Sequence, residues 1–600
     1  MNYALDRFEQ QVREAIIATG KAPAELVELT TPKPNIPADL AFPTFRAAKE
    51  LKLSPPQLAQ ELAASIHVTE DSLIGGIAAT GPFLNFTLHV GRLTAAVLEE
   101  VERLGPHYGH DDQGNGKTVI VEYSSPNVAR RMHVGHIRTT IIGQALFNIF
   151  AALGYHTISD NHLGDWGKQF GVLIMAVVHE GKPAGADEET LAGLERLYTK
   201  YNTLTESDPA ADDEARSWSL RLEQGEPQAR EIWQWIVDLT MRYINPLYAR
   251  LGAHFDTTHG ESFFEDKMEP IIAKAQDEGV ATRDEKGALV VDLPGLPTFL
   301  LQRTDGGTLY LTRDVATVAF REHEYHPSAM IYVVDARQEL HFRQVFALAR
   351  ALGMAQETEL IHITFGTVFD SKGEPLSTRK GNMVYLQALL NDAHARARAV
   401  VDQSSPDLPE AEKEEVAEIV GVGAVIYNDL YQDPRRNITL DWDRMLSLEG
   451  NSAPYIQYMY ARCRSILRKA AEEDQRRKAN DHKNLGVSDQ ASEQVAQPSS
   501  LVLGRSSELL THPSETAVIK QLAKLPVAVR EAGARYAPFV VAEWCYETAR
   551  ALSGFYRDCP VLRSDTPPEL RAARLRLVAA TAQALRNGLG LLGIRAPERM

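Results

Sequence analysis

Six hundred residues with a formal net charge of −17 exceed what one hydrophobic core organises, so three or four domains are expected. The acidic balance argues against a general nucleic-acid binder, whose affinity rests on an overall positive surface, although local basic stripes can still hold RNA. Cys463, Cys545 and Cys559 form no C-x-x-C pair, no run of eighteen apolar residues occurs, and the start Met1-Asn2-Tyr3-Ala4-Leu5-Asp6-Arg7 lacks a basic stretch before an apolar one, so the expectation is a reduced cytoplasm with no metal site, membrane span or secretion signal.

In chain order, Phe8, Val12 and Ile16 repeat at helical spacing and Phe83-Leu84-Asn85-Phe86-Thr87-Leu88 reads as a strand. Together they predict an N-terminal α+β module over residues 1–113, with Gly114-Asn115-Gly116 as a linker. Gly116-Lys117-Thr118 has the ending of a Walker loop, but the first glycine of that motif would fall at Asp111 and the triplet precedes its strand; that reading is rejected.

The apolar run Thr118-Val119-Ile120-Val121 leads into Ser125-Pro126-Asn127-Val128-Ala129-Arg130-Arg131-Met132-His133-Val134-Gly135-His136. His133 and His136, three apart with Gly135 before the second, place both imidazoles on one side of a helix's first turn, where free N–H groups and the positive dipole end suit a triphosphate. Taken alone, H-x-G-H recurs by chance, and a histidine at a helix entrance is more often a cap or a buried polar group. Ile141, Ile142, Ala145, Leu146, Ile149 and Phe150 then follow at helical spacing up to Gly154, Tyr155 to Asp160 is β-prone, and Gly164-Asp165-Trp166-Gly167 opens another helix. This β-turn-α-β order predicts a Rossmann-like parallel sheet, with ligands beyond the carboxyl ends of its strands.

The sheet domain is expected over residues 114–390, interrupted by polar helical insertions near 180–245 and 260–305. Tyr310 and Asp314, four apart, would share a helix face; without their neighbours they read as a half-buried tyrosine and an exposed aspartate. Asp370 to Asn382 packs hydroxyls, cations and glycines into one loop, which fits either closure on phosphates or a solvated basic turn. Residues 391–600 read as an all-α bundle, with Val416, Ile419, Val420 and Ala424 opening it and a polar, flexible excursion over 472–514. Tyr455, Tyr458 and Tyr460 suit stacking on splayed bases or, equally, packing between helices. Arg462, Arg464, Arg468 and Lys469, with Arg571, Arg574 and Arg576, are candidate RNA stripes or solvated faces.

The H-x-G-H turn combined with the 370–382 loop resembles the two signatures of class I aminoacyl-tRNA synthetases. Within that class the chain resembles the arginyl-tRNA synthetases through Val121-Glu122-Tyr123-Ser124-Ser125-Pro126-Asn127, His133 to Thr140, Asn161-His162-Leu163-Gly164-Asp165-Trp166-Gly167, Tyr310-Leu311-Thr312-Arg313-Asp314, Val334-Asp335-Ala336-Arg337-Gln338, Ser377-Thr378-Arg379-Lys380-Gly381 and the C-terminal Gly588 to Ile594 ending in Met600.

The resemblance implies an α/β Rossmann-like catalytic domain between an N-terminal module that contacts the tRNA elbow and a C-terminal anticodon-binding bundle. It implies a monomer that activates L-arginine with ATP, releases pyrophosphate and passes the arginyl group to the terminal adenosine of tRNA(Arg), with tRNA needed for activation. Mg2+ is expected to accompany ATP, and no tightly bound cofactor is. Glu122, Ser125, Asn127, Tyr310, Asp314 and Gln338 would hold arginine, whose guanidinium offers five donors in a plane and needs acceptors. His133, Gly135, His136, Ser377, Thr378 and Lys380 would hold ATP. His133, His136, Arg130, Arg379 and Lys380 would face the developing phosphate charge, while Tyr455, Tyr458, Arg462 and Arg571 would meet the tRNA.

The chain departs from the family pattern at the second signature, usually Lys-Met-Ser-Lys-Ser, where Pro375-Leu376-Ser377-Thr378-Arg379 stands instead. Arginyl enzymes often carry a compensating lysine before the H-x-G-H turn, and here that place holds Arg130. Two other classes stay open. A nucleotidylyltransferase also uses H-x-G-H but needs neither flanking domain. A noncatalytic RNA-binding relative would keep the fold without the lysines, although His133, His136, Asn127, Asp314 and Gln338 argue against it.

Overall fold

The structure is a computed structural model that describes residues 1–33, 35–376, 384–485 and 508–600, the side chains of 478–485 apart. The N-terminal region opens with α1 (Ala4–Ala18), whose Phe8, Val12 and Ile16 are buried at the spacing expected of them. Strands β1 (Leu40–Pro43), β2 (Ile74–Thr80) and β3 (Phe83–Leu88) form an antiparallel sheet in the order β1-β3-β2, and α2 (Val90–Leu104) packs its apolar face inward before the chain leaves the region.

The central sheet begins with β4 (Thr118–Glu122), whose residues after the first are all buried, as expected of a strand covered on both faces. It leads to α3 (Val134–Ala152), buried on nearly every side. There Gly143 lies so close to Tyr123 that an added Cβ would fall 2.2 Å from its ring, which ties the helix to the end of β4. Next come β5 (His156–Asp160), α4 (Lys168–Glu180), and three long helices, α5 (Asp187–Ser207), α6 (Pro209–Glu223) and α7 (Pro227–Leu251).

After α8 (Met268–Asp277), the short strands β6 (Ala281–Arg283), β7 (Leu289–Val291) and β8 (Phe299–Gln302) make a second antiparallel sheet. The expectation of a helical insertion near 260–305 is therefore corrected to a mixed one. Its apolar runs, such as Leu289-Val290-Val291, are too short for a helix and rich in the β-branched residues that suit a strand.

The chain then forms α9 (Tyr310–Tyr325), β9 (Ala329–Val333), α10 (Glu339–Ala351), β10 (Glu359–Ile363) and β11 (Val368–Phe369). The main sheet is four-stranded and all parallel, in the order β10-β9-β4-β5, with Glu122 opposite both Asp160 and Tyr332. Ligands of such a sheet lie beyond these carboxyl ends, where the strand order reverses.

The remainder is helical, with α11 (Leu386–Ser404), α12 (Glu410–Leu430), a one-turn α13 (Trp442–Met445), α14 (Ala453–Leu485), α15 (Pro513–Ala523), α16 (Leu525–Ala534), α17 (Phe539–Asp558) and α18 (Pro568–Leu591). Among the described residues one strand interrupts it: β12 (Ile438–Thr439) returns to pair with β11 in parallel. The expected excursion from residue 472 is helical as far as Leu485, because α14 continues through it, and residues 486–507 lie outside the described part. No described helix is long and apolar enough to cross a membrane.

Candidate active site

Beyond Glu122 the backbone enters the left-handed region at three non-glycine residues, Ser124 (φ 68°), Ser125 (φ 46°) and Ala129 (φ 65°). Such conformations persist where surrounding groups hold them. Here each N–H has its own side-chain acceptor: Ser124 donates to Thr139 Oγ1 (3.0 Å), Ser125 to Asn161 Oδ1 (3.2 Å) and Ala129 to Thr240 Oγ1 (3.0 Å). Helices α3 and α7 and the end of β5 thus impose the turn from three directions. Thr240→Val, which keeps the shape and removes the acceptor, is expected to lower stability by about 1–2 kcal/mol, read as a shift of the urea midpoint; an unchanged midpoint would show that the turn holds itself.

The turn ends at His133, the N-cap of α3. Gly135 N–H donates to His133 Nδ1 (3.0 Å) and His133 N–H donates to His136 Nδ1 (3.1 Å), so each imidazole spends its Nδ1 lone pair on backbone. In the neutral ring the proton is then on Nε2, which makes both side chains outward donors. The rings lie 4.0 Å apart. Burial pushes the His136 imidazole down to about 3, with His133 and Arg130 acting the same way. Burial, Arg130 and Arg337 also lower His133. The histidines are therefore neutral N–H donors at neutral pH.

Two cavities meet at this turn and share Asn127, His133 and His136. One, of about 440 Å³, is closed by Gly135, Gln338, Arg337, Phe365 and Leu376 and includes Ser125. The other, of about 490 Å³, has Arg130, Arg131, Glu195, Tyr198 and Tyr385 on its walls. A third, of about 400 Å³, contains Tyr310 together with Tyr198 and Trp166, so Tyr198 links it to the second. Asn127 is held by the exchange of Val128 N–H to Gly164 O and Gly164 N–H to Pro126 O (3.1 Å each). A Cβ on Gly164 would sit 2.5 Å from Asn127 Oδ1, which explains the glycine.

Arg130 is exposed, with its guanidinium carbon 5.4 Å from the Tyr198 ring. Tyr310 is 66% exposed and Asp314, one turn later on α9, accepts from His341. Glu122 is engaged within the fold through one of its two carboxylate oxygens, Oε2. Glu122 and Asp160 are neighbours at the ends of β4 and β5, and the buried Arg321 bridges them from one nitrogen, at 2.7 and 2.6 Å. Burial raises Asp160, but Arg321 outweighs it and holds that carboxyl below its usual range. Two carboxylates side by side out of water need such a cation.

Ser377, Thr378, Arg379 and Lys380 lie outside the described residues, but the chain after them is fixed: Val134 N–H donates to Val384 O and Leu386 N–H to Met132 O, 2.9 Å each. Arg131 reinforces this contact by pairing with Glu195 of α5 (2.8 Å) and donating to Tyr385 (2.7 Å). Sequence reasoning missed Glu195, Tyr385 and Arg321; Arg131 and Arg337 were visible only as parts of the Ser125 to His136 stretch and the Val334-Asp335-Ala336-Arg337-Gln338 block.

On the helical bundle, Tyr458 is exposed, Arg462 lies 4.6 Å over the Tyr556 ring and Tyr455 is half-buried against Tyr546. Arg571 is corrected from an RNA contact to an internal one, since it is 12% exposed and paired with Glu473 and Asp474.

Three family models match the chain: the catalytic domain of "tRNA synthetases class I (R)" over residues 100–442, the "DALR anticodon binding domain" over 456–600 and the "Arginyl tRNA synthetase N terminal domain" over 6–88. The chain is 59% identical to the arginine–tRNA ligase of Chloroflexus aggregans over 600 residues, all of both chains. It is 36% identical to that of Alkaliphilus metalliredigens, covering 99% of this chain and 100% of the relative. Among solved structures, the Thermus thermophilus arginyl-tRNA synthetase superposes with a TM-score of 0.75 at 26% identity, covering 98% of this chain and 100% of that one.

Proposed function

The chain belongs to the class I arginyl-tRNA synthetases, and from that premise we propose how its residues carry out the ligation of arginine to tRNA with ATP. The arginine carboxylate attacks the α-phosphate of ATP and pyrophosphate leaves; a hydroxyl of the terminal adenosine of tRNA(Arg) then takes the arginyl group. Neither step needs a protein nucleophile, so catalysis is positioning and electrostatic stabilisation. The observation that carries the proposal is the pair of outward Nε2 donors at the N-terminus of α3, on the wall shared by two cavities.

We assign ATP to the cavity lined by His133, Gly135, His136 and Gln338, with Ser377, Thr378, Arg379 and Lys380 approaching its phosphates and Arg130 supplying charge from the other side. Asn127, Ser125 and Gln338 hold the amino-acid end of arginine, and Tyr310 with Asp314 takes the guanidinium. Glu122 contributes through the net negative charge it shares with Asp160 and Arg321. Magnesium arrives with the triphosphate; Asp335, the carboxylate in the ATP cavity, is engaged by Arg337 at 2.9 and 2.8 Å.

We further propose that residues 1–113 meet the tRNA elbow, 114–390 perform the chemistry and 391–600 read the anticodon, in a cytoplasmic monomer. Tyr458 and Arg462 form the RNA-facing surface, with Tyr455 behind them. Tyr458→Ala is expected to weaken tRNA binding by about 1–3 kcal/mol, measured as the KM for tRNA, and Arg571→Ala to leave that KM unchanged; the reverse pattern would move the surface.

Arginine-dependent ATP–pyrophosphate exchange, with and without tRNA(Arg), tests the proposal. Exchange only with tRNA is expected. Exchange without it would contradict the tRNA requirement, and none in either case would contradict the activity.

A further inference from the structure

Two helices carry the expected readers of arginine. Helix α9 carries Tyr310 and Asp314, and α10 begins directly after Gln338. The helices pack in one apolar cluster, and a polar contact adds to it: His341 Nε2 lies 2.5 Å from Asp314 Oδ2, with both side chains 25% exposed.

The carboxylate of Asp314 has two oxygens and only acceptor capacity when ionised. Among the described residues Oδ1 accepts no hydrogen bond, while Oδ2 is taken by His341. A single N–H on Oδ2 fixes the plane of the carboxylate and leaves Oδ1 as the acceptor for a guanidinium N–H. His341 is itself held, because its neighbour Phe342 is buried against Tyr332 (5.1 Å) and His362 (4.6 Å between ring centroids). The helix therefore cannot turn away from Asp314 without breaking a packed aromatic cluster.

We infer that His341 is a positioning residue for arginine recognition: it orients Asp314 so that one oxygen faces the substrate guanidinium, and it ties the helix that reads that group to the helix whose start carries Gln338. The inference rests on the reading of Asp314 given above. His341 touches neither ATP nor the reacting atoms, so its effect falls on the arginine KM and not on phosphate chemistry. Glutamine keeps an N–H donor at the reach of Nε2, whereas alanine leaves the carboxylate free to rotate and to bind water.

The test is steady-state kinetics of His341→Ala, His341→Gln and Asp314→Asn, each read as KM for arginine, KM for ATP and kcat. His341→Ala is expected to raise the arginine KM about tenfold with the ATP KM and kcat little changed, and His341→Gln to recover most of that loss. If Asp314→Asn raises the arginine KM and His341→Ala does not, the positioning role is wrong while the reading of Asp314 stands. If Asp314→Asn leaves the arginine KM unchanged, the reading of Asp314 itself fails. A His341→Ala enzyme whose arginine and ATP KM values rise together, or one that glutamine does not rescue, would also overturn the proposal, since it would mark a general packing role.

Discussion

His136→Ala is expected to slow arginyl-adenylate formation by about a hundred- to a thousandfold while leaving the arginine KM nearly unchanged, the loss typical when one preorganised donor to a developing oxyanion is removed. The reason lies in the turn. His133 N–H holds His136 Nδ1, so the ring cannot rotate and its Nε2 proton is presented without reorganisation when negative charge grows on the phosphate. The assay is single-turnover adenylate formation with tRNA(Arg) present. An effect confined to the ATP KM would show that the histidine only binds ground-state nucleotide.

The same geometry gives a pH signature. His136 in the folded protein titrates at about 3, below the ordinary histidine value near 6.5, chiefly because it is buried. A depressed value means the folded state resists protonation, so the stability tied to the neutral ring is fully present above the unfolded value and is lost as pH falls from there towards 3. Between about pH 6 and 8 the rate should therefore show no inflection that His136→Asn removes. An inflection in wild type that the variant lacks would mean the ring titrates and acts through charge.

Asp429→Ala is expected to be the most destabilising single change, at about 3–5 kcal/mol, because it leaves a buried guanidinium without its partner. Arg138 of α3 and Asp429 of α12 are each 1% exposed and meet in a two-pronged pair, Nη2 to Oδ1 at 2.7 Å and Nε to Oδ2 at 2.9 Å. The remaining guanidinium protons reach Arg436 O (3.0 Å) and Pro434 O (3.1 Å). The pair fastens the helix that starts at His133 to the helical region, and Arg138 also lines the cavity proposed for ATP. Urea unfolding followed by activity and by circular dichroism is the measurement, since a chain of this size need not unfold in one step. Replacing both partners with apolar residues, Arg138→Met with Asp429→Leu, should recover much of the stability. A single variant as stable as wild type would mean water reaches the pair.

What could be read in the sequence was local. The burial of Phe8, Val12 and Ile16, the strand at 118–122, the H-x-G-H cap of α3 and the joint placement of Tyr310 and Asp314 all follow from spacings within a few residues, and periodicity carries that information. The second insertion escaped because its apolar runs are three or four residues long, too short for a period to declare itself. Arg321 between Glu122 and Asp160, and Arg138 with Asp429, escaped because their partners come together only through the fold. That is also why Glu122 looked available: a carboxylate at a strand end looks free until its distant cation is seen. Arg571 looked basic and exposed for the same reason, its partners lying on another helix.

The most direct test of the central claim is transfer of radiolabelled amino acids to tRNA(Arg) by the purified protein with ATP. Arginine should be esterified to the terminal adenosine, with lysine and other amino acids not charged above background and the His136→Ala enzyme slowed in proportion to its adenylate defect. Failure to charge arginine under conditions where the protein is folded and binds tRNA(Arg) would contradict the account.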